Sequence, residues 1–376
     1  MNAALLDSYG TGDAREREES WRYSKAALRA LSQHDFIDAD AQASVSASLR
    51  AQFEWPQSTG RRLVFVNGAY SQTCSDASLL DDALMIEQAS DRRVVLTIGA
   101  AFDGVLHLVY ANVPGMQPSR WQATSEIHVP AGNASLIEQH VGEAGADVLG
   151  AIMTDIHVSA RAAVHVTTLS DLPDSASLYR RTQATVDDDA CYAVAHAILG
   201  GRLQRFDLGV ELVGAHSRFD SRGVFALRGR QHADVHLDVR HGARDTACDI
   251  VWRGVADQRS RGIFHGAITV AAGADGADAQ LSNKNLLLSP HAEIDTQPVL
   301  EIYADEVKAA HGATVGQLDE RALFYLRSRG LPLEAARGLL IGAFCRSVFA
   351  GLAQTDLRER IEALLDTRIP AGGAGA

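Results

Sequence analysis

The chain has 376 residues, 46% hydrophobic and 22% charged, enough to bury the core of two or three domains. A formal charge of −12, with Lys25, Lys284 and Lys308 as the only lysines, argues against a protein that coats nucleic acid, which needs a clustered basic surface. The start Met1-Asn2-Ala3-Ala4-Leu5-Leu6-Asp7 shows no secretory pattern, no stretch approaches the roughly 18 apolar residues of a membrane span, and the four cysteines form no Cys-x-x-Cys pair, so the expectation is a protein of the reducing cytoplasm.

Asp13 to Leu31 is charged and then amphipathic, with Trp21, Leu28 and Leu31 at helical intervals. Pro56 to Gly60 breaks the pattern, and Arg62-Leu63-Val64-Phe65-Val66-Asn67-Gly68 reads as a strand entering a tight turn. From Val94 to about Val315 short segments alternate. Ile127 and Val129 flank His128, Ile156 and Val158 flank His157, Val164 and Val166 flank His165, and Val235, Leu237 and Val239 share one face. Period two places one face inward and the other in solvent. Turns such as Arg228-Gly229-Arg230 and Ala274-Asp275-Gly276 punctuate the run. Such spacing fits a sandwich or a solenoid. The lack of a strict repeat favours the first, and the scarcity of hairpin dipeptides favours the second.

The last sixty residues are helical. Leu323, Phe324 and Leu326 mark a helix from Asp319 to Arg329, with Gly330 at its left-handed end. Pro332 fits the first turn of a second helix, whose stripe is Leu333, Ala336, Leu340, Phe344 and Val348. Asp356 and Glu359 form a capping pair for a third, and Ala371–Ala376 is expected to be a disordered tail.

Motif tests exclude several chemistries. There is no Gly-x-x-x-x-Gly-Lys-Ser/Thr loop, Gly10-Thr11-Gly12 lacks the third glycine of a dinucleotide site, and neither a Gly-x-Ser-x-Gly elbow nor a His-Glu-x-x-His helix occurs. His232, His236 and His241 offer either a metal site or ordinary surface histidines. The apolar set Val235, Leu237 and Val239 leaves His232 and His236 on the solvent side. Asp187, Asp188 and Asp189 with Cys191 and His196 offer a hard-cation site or a solvated turn. Asp234 and Asp238 offer a carboxylate pair or exposed strand acids. Cys248 and Cys345 read as interior thiols, and His311, by position alone, as structural.

One long stretch joins the strands to the helices. It contains Asn283-Lys284-Asn285-Leu286-Leu287-Leu288, Ala292-Glu293-Ile294-Asp295-Thr296-Gln297-Pro298 and Lys308-Ala309-Ala310-His311-Gly312-Ala313-Thr314, and it ends in Leu323-Phe324-Tyr325-Leu326-Arg327-Ser328-Arg329-Gly330. With Glu19-Ser20-Trp21-Arg22-Tyr23-Ser24 and Arg261-Gly262-Ile263-Phe264, it resembles the SufB/SufD family of iron–sulfur cluster assembly proteins, in its D-type form. The resemblance implies a mainly β protein. It predicts a right-handed parallel β-helix core (94–316) between N-terminal (1–93) and C-terminal (317–370) helical segments, followed by the tail 371–376.

The resemblance further implies no stand-alone enzyme and no stably bound cofactor. It implies a SufB-like partner met through the β-helix and a SufC-like ATPase met through the C-terminal helices, where Phe324, Tyr325, Arg327 and Arg329 are the docking candidates. A transient iron–sulfur cluster would form at the partner interface, with His311 as the candidate metal ligand. Ala309 stands where many members carry cysteine, and no cysteine accompanies Ala292-Glu293-Ile294, unlike the SufB type. The alternatives are a carbohydrate-acting β-helix enzyme and a SufB-type scaffold. Nucleic-acid and membrane partners are not expected.

Overall fold

The structure, a computed structural model, describes residues 21–53, 61–76, 83–351 and 355–369. The Gly10–Gly12 test, the charged run 13–20, the break at 56–60, the side chain of Asp356 and the tail 371–376 lie outside the described residues.

Two ten-stranded sheets face each other and are threaded alternately by the chain. The first stacks Ser119–Val129, Val148–Val158, Ser177–Val186, Leu203–Leu212, His232–His241, Arg261–Val270 and Glu293–Ile302. The second stacks Asn133–Gly142, Ala163–Leu172, Cys191–Gly200, Arg218–Leu227, Ala247–Ala256, Asp278–Leu287 and Lys308–Gly316. All these neighbours pair in parallel, so the body is a parallel β-helix. Toward the N-terminus both sheets begin in antiparallel pairs, Arg62–Val66 with Ala69–Tyr70 and Leu84–Ser90 with Arg93–Ile98.

Register explains why the alternating segments become strands here. Leu106, Leu136, Val166, Val194, Ser221, Ile250 and Leu281 lie one above another on the inner face of the second sheet, and all are buried. Each large aliphatic side chain so buried contributes about 1.5–3 kcal/mol. Large side chains need small neighbours in adjacent coils. A Cβ on Gly223 would lie 2.3 Å from Trp252, and one on Gly254 would lie 2.3 Å from both Phe225 and the Asn285 amide oxygen.

The interior is not wholly apolar. Glu138, from the second sheet, meets Arg180, from the first, through two hydrogen bonds of 2.6 and 2.7 Å, and His140 Nε2 lies 2.8 Å from the same carboxylate. Burial pushes the Glu138 carboxyl up, but Arg180 and His140 outweigh it and hold the group well below the usual carboxylate range.

Both outer faces carry helical covers. Trp21, Leu28 and Leu31, on and beside the helix Lys25–Leu31, pack on Leu149, Tyr179 and Leu203 of the first sheet. Ser24 Oγ donates to Asp234 Oδ2 and lies 2.9 Å from His232 Nε2, while the Arg205 guanidinium, over the Trp21 ring, reaches Asp234 at 3.1 Å. On the second sheet, helices Leu333–Arg346 and Thr355–Arg368 press Ile341, Cys345, Leu357, Ile361 and Leu365 onto Ile137, Leu169, Ala195, Val224 and Val255. Strands buried on both faces read as continuous apolar runs. The packed face of Leu333–Arg346 is rotated from the expected stripe: Ala336, Ile341 and Cys345 are buried, whereas Leu333 is exposed.

Candidate functional site at the open end of the solenoid

Among the described residues, no further coil covers the C-terminal end of the tube. Glu293–Ile302 ends the first sheet and Lys308–Gly316 ends the second, each hydrogen-bonded on one side only. The other edge of each presents backbone donors and acceptors, a template for another chain. Ile302 and Val315, at inward register positions, are each 43% exposed because no further coil lies on them.

His311 sits at the end of the buried column that runs from Leu106 to Leu281. It pairs in register with Leu281, which pairs with Ile250, so the imidazole occupies a position that is interior in every coil beneath it. Here it is exposed. Two residues earlier on the same face, Ala309 packs against the core over buried Ala279. A neutral imidazole presented this way can accept a proton or ligate a borderline metal ion such as iron.

The cysteines lie elsewhere. Cys248 and Cys345 are interior, as expected, and burial pushes both thiols up to about 12. Cys74 is buried, and burial also raises the Cys191 thiol. Thiols held protonated are poor ligands and nucleophiles.

Next to the open end, Asp319 caps the helix Glu320–Ser328 by accepting from Arg321 N at 2.8 Å. Gly330, at φ +94, closes it, with Leu331 N donating back to Leu326 O. Only Leu323 of this helix is buried. Phe324 and Tyr325 are 74% and 57% exposed, Arg327 and Arg329 are exposed, and the Arg329 guanidinium lies 5.3 Å from the Tyr325 ring centre. All four docking candidates therefore share one exposed helix end.

The remaining sequence candidates resolve differently. His232 and Asp234 are not on a solvent face; both are buried beneath the Trp21–Ser24 segment. Strand periodicity identifies the outer face but not a helix that covers it. Burial pushes His232 down to about 4, and Arg205 and His236 hold the Asp234 carboxyl low against the upward pull of burial. His236 stacks on His265, with ring centres 4.9 Å apart. His241 is buried separately, between Thr246 Oγ1 at 2.8 Å and Cys248 Sγ at 3.2 Å. Asp234 is thus consumed by an ion pair while Asp238 is exposed, which removes the carboxylate pair. His196 stacks on Trp252 inside the tube, whereas Asp187 pairs with His157, and Asp188 accepts from the Ala215 backbone. Among the described residues no group of three or more His, Cys, Asp or Glu could hold a metal ion.

Comparison with known proteins agrees with this architecture. The family model described as "SUF system FeS cluster assembly, SufBD core domain" matches residues 120–344, which span most of the parallel coils and the first two C-terminal helices. The chain belongs to the SufBD family. It is 26% identical to the iron-sulfur cluster assembly protein SufD of Escherichia coli, over 96% of this chain and 90% of that protein. It is 27% identical to a SufBD family protein of Synechocystis, over 94% and 87% of the two chains. A SufBD family protein of Mycobacterium tuberculosis is 31% identical over 53% of this chain and 52% of its own length. This is a SufD-like member of the SufBD family of iron–sulfur cluster assembly proteins. None of the described helices is long and apolar enough to cross a membrane.

The buried charges were missed by the sequence reading. Ala134, Leu136, Glu138 and His140 share one strand face, so a charge at an apolar period-two position was the available signal.

Proposed function

We propose that the chain is a non-catalytic subunit of a SufBCD-type assembly complex in the cytoplasm. Its open end stacks on the corresponding end of a SufB-like subunit, and the helix Glu320–Ser328 docks a SufC-like ATPase. The observation that carries this reading is His311 at the uncovered end of a core column. A second solenoid stacked there would complete the coil and enclose the imidazole at the seam. The nascent iron–sulfur cluster is cargo built at that seam, with no cofactor resident in this chain. With Ala309 in place of a thiol and Cys248 and Cys345 held protonated inside, the thiolates would come from the partner. This chain's share is one nitrogen ligand or proton acceptor.

Phe324 and Tyr325, exposed aromatics flanked by Arg327 and Arg329, have the composition of an interface anchor. The test is co-expression with SufB-like and SufC-like subunits. His311→Ala should leave the complex intact and lower cluster yield, and Phe324→Glu should release the ATPase while the SufB-like subunit stays bound. Undiminished cluster yield in H311A, or ATPase retention in F324E, would refute the corresponding assignment.

A further inference from the structure

The Asn283-Lys284-Asn285 motif has a place of its own in the structure. Lys284 points to solvent, but both asparagines are buried inside the tube, in columns that hold Trp252 and Gly254 one coil earlier. A buried amide costs free energy for each polar atom left without a hydrogen bond, and here the Asn285 Nδ2 and Asn283 Oδ1 atoms are bonded. Asn285 Nδ2 donates to Asn283 Oδ1 at 2.5 Å and to the Thr314 carbonyl oxygen at 3.1 Å, and Thr296 Oγ1 donates to the same Asn283 Oδ1 at 2.8 Å.

These three bonds join three strands. The asparagines belong to Asp278–Leu287, Thr314 lies three residues beyond His311 on the last strand of the second sheet, and Thr296 lies on the last strand of the first. Each final strand has a backbone ladder on one side only, and such strands open locally at low free-energy cost. Hydrogen bonds from inside the tube supply the restraint that a next coil would otherwise provide. The motif thus stands where the open end needs holding.

We propose that Asn283, Asn285 and Thr296 are positioning residues: an amide clamp that holds both final strands in one setting, so that His311 meets the partner in a single geometry. This rests on the reading that the open end is the docking surface. The clamp itself can be tested without the partner.

Thr296→Val keeps the side-chain shape and removes the hydroxyl, whereas Thr296→Ser keeps the hydroxyl. In hydrogen exchange on the isolated full-length chain, T296V should speed exchange in Glu293–Ile302 and Lys308–Gly316 about tenfold, with Ala163–Leu172 unchanged and T296S like wild type. In the complex, T296V should weaken SufB-like binding by a similar factor and T296S should not. Unchanged exchange at the end strands, or a uniform rise in all strands with a matching fall in Tm, would overturn the clamp. Altered exchange with unaltered partner affinity would overturn its positioning role. Failure of wild type to bind any SufB-like subunit would instead sink the docking reading, with the exchange result still deciding the clamp.

Discussion

Replacing Arg180 by methionine should destabilise the fold by about 3–5 kcal/mol, because it leaves a carboxylate alone inside the tube. The geometry sets the size of the effect. Glu138, Arg180 and His140 are all buried, and the guanidinium holds the carboxylate at 2.6 and 2.7 Å from the opposite sheet. Attraction across such a contact is strong where water is excluded, but desolvation of both ions offsets most of it. The pair therefore contributes little net stability when intact, and the cost appears when one member is lost. The double variant Glu138→Leu/Arg180→Met should accordingly recover most of the loss. Guanidinium denaturation followed by circular dichroism at pH 7.5 reads both variants. The pH dependence follows from the sign of the shift. The folded value of Glu138 lies below its unfolded value near 4.5, so its stabilisation is present above pH 4.5 and is lost as pH falls through the folded value. Without Arg180, burial pushes the Glu138 carboxyl up, so the folded variant takes up a proton that wild type refuses, and the gap between wild type and R180M should narrow as pH falls through the variant's raised value. A single variant within about 1 kcal/mol of wild type, near the resolution of such measurements, or a double variant no better than the single, would refute the reasoning.

Three further outcomes are expected. Burial pushes His107 and His241 down to about 4, so the unfolded chain takes up protons near 6.5 that the folded chain refuses; stability should fall from pH 6.5 downward, by about 2 kcal/mol for each of these histidines at pH 5, and a Tm constant from pH 7.5 to 5 would contradict this. Ser24→Ala strips a hydrogen bond from buried Asp234 and should cost about 1–3 kcal/mol, seen as faster exchange in Trp21–Leu31 with strands unaffected. Gly223→Ala drives a methyl to 2.3 Å from Trp252 and should cost about 1–3 kcal/mol in thermal unfolding; a neutral result would show that the ring has room to move.

The strands were legible because their inner positions are aliphatic at period two, as in Val235, Leu237 and Val239, all buried. Their stacking was not. Successive members of the column from Leu106 to His311 lie 27 to 31 residues apart, since turns vary in length while the register is kept, and no fixed period survives in the sequence. The C-terminal helices were legible as helices, but the face of Leu333–Arg346 that packs depends on the sheet beneath it, which one-dimensional spacing cannot supply. His232 and Asp234 show the same gap: they lie on the outer face, as periodicity requires, and are buried because a segment two hundred residues earlier in the chain covers them.

The two ends of the tube differ, and the difference bears on what the open one is for. At the N-terminal end both sheets turn back into antiparallel pairs. At the C-terminal end both sheets stop in parallel strands, with an imidazole, Ile302 and Val315 where the coil below has a packed interior. A bare edge of this kind risks indiscriminate pairing, and charged residues blunt it. Lys308, Glu293 and Glu301 are exposed on these two strands. Charge that discourages a chance strand does not hinder a partner whose own coil supplies matching charge and register. An end shielded in this way, yet presenting a histidine from the core column, is better suited to a specific partner than to water.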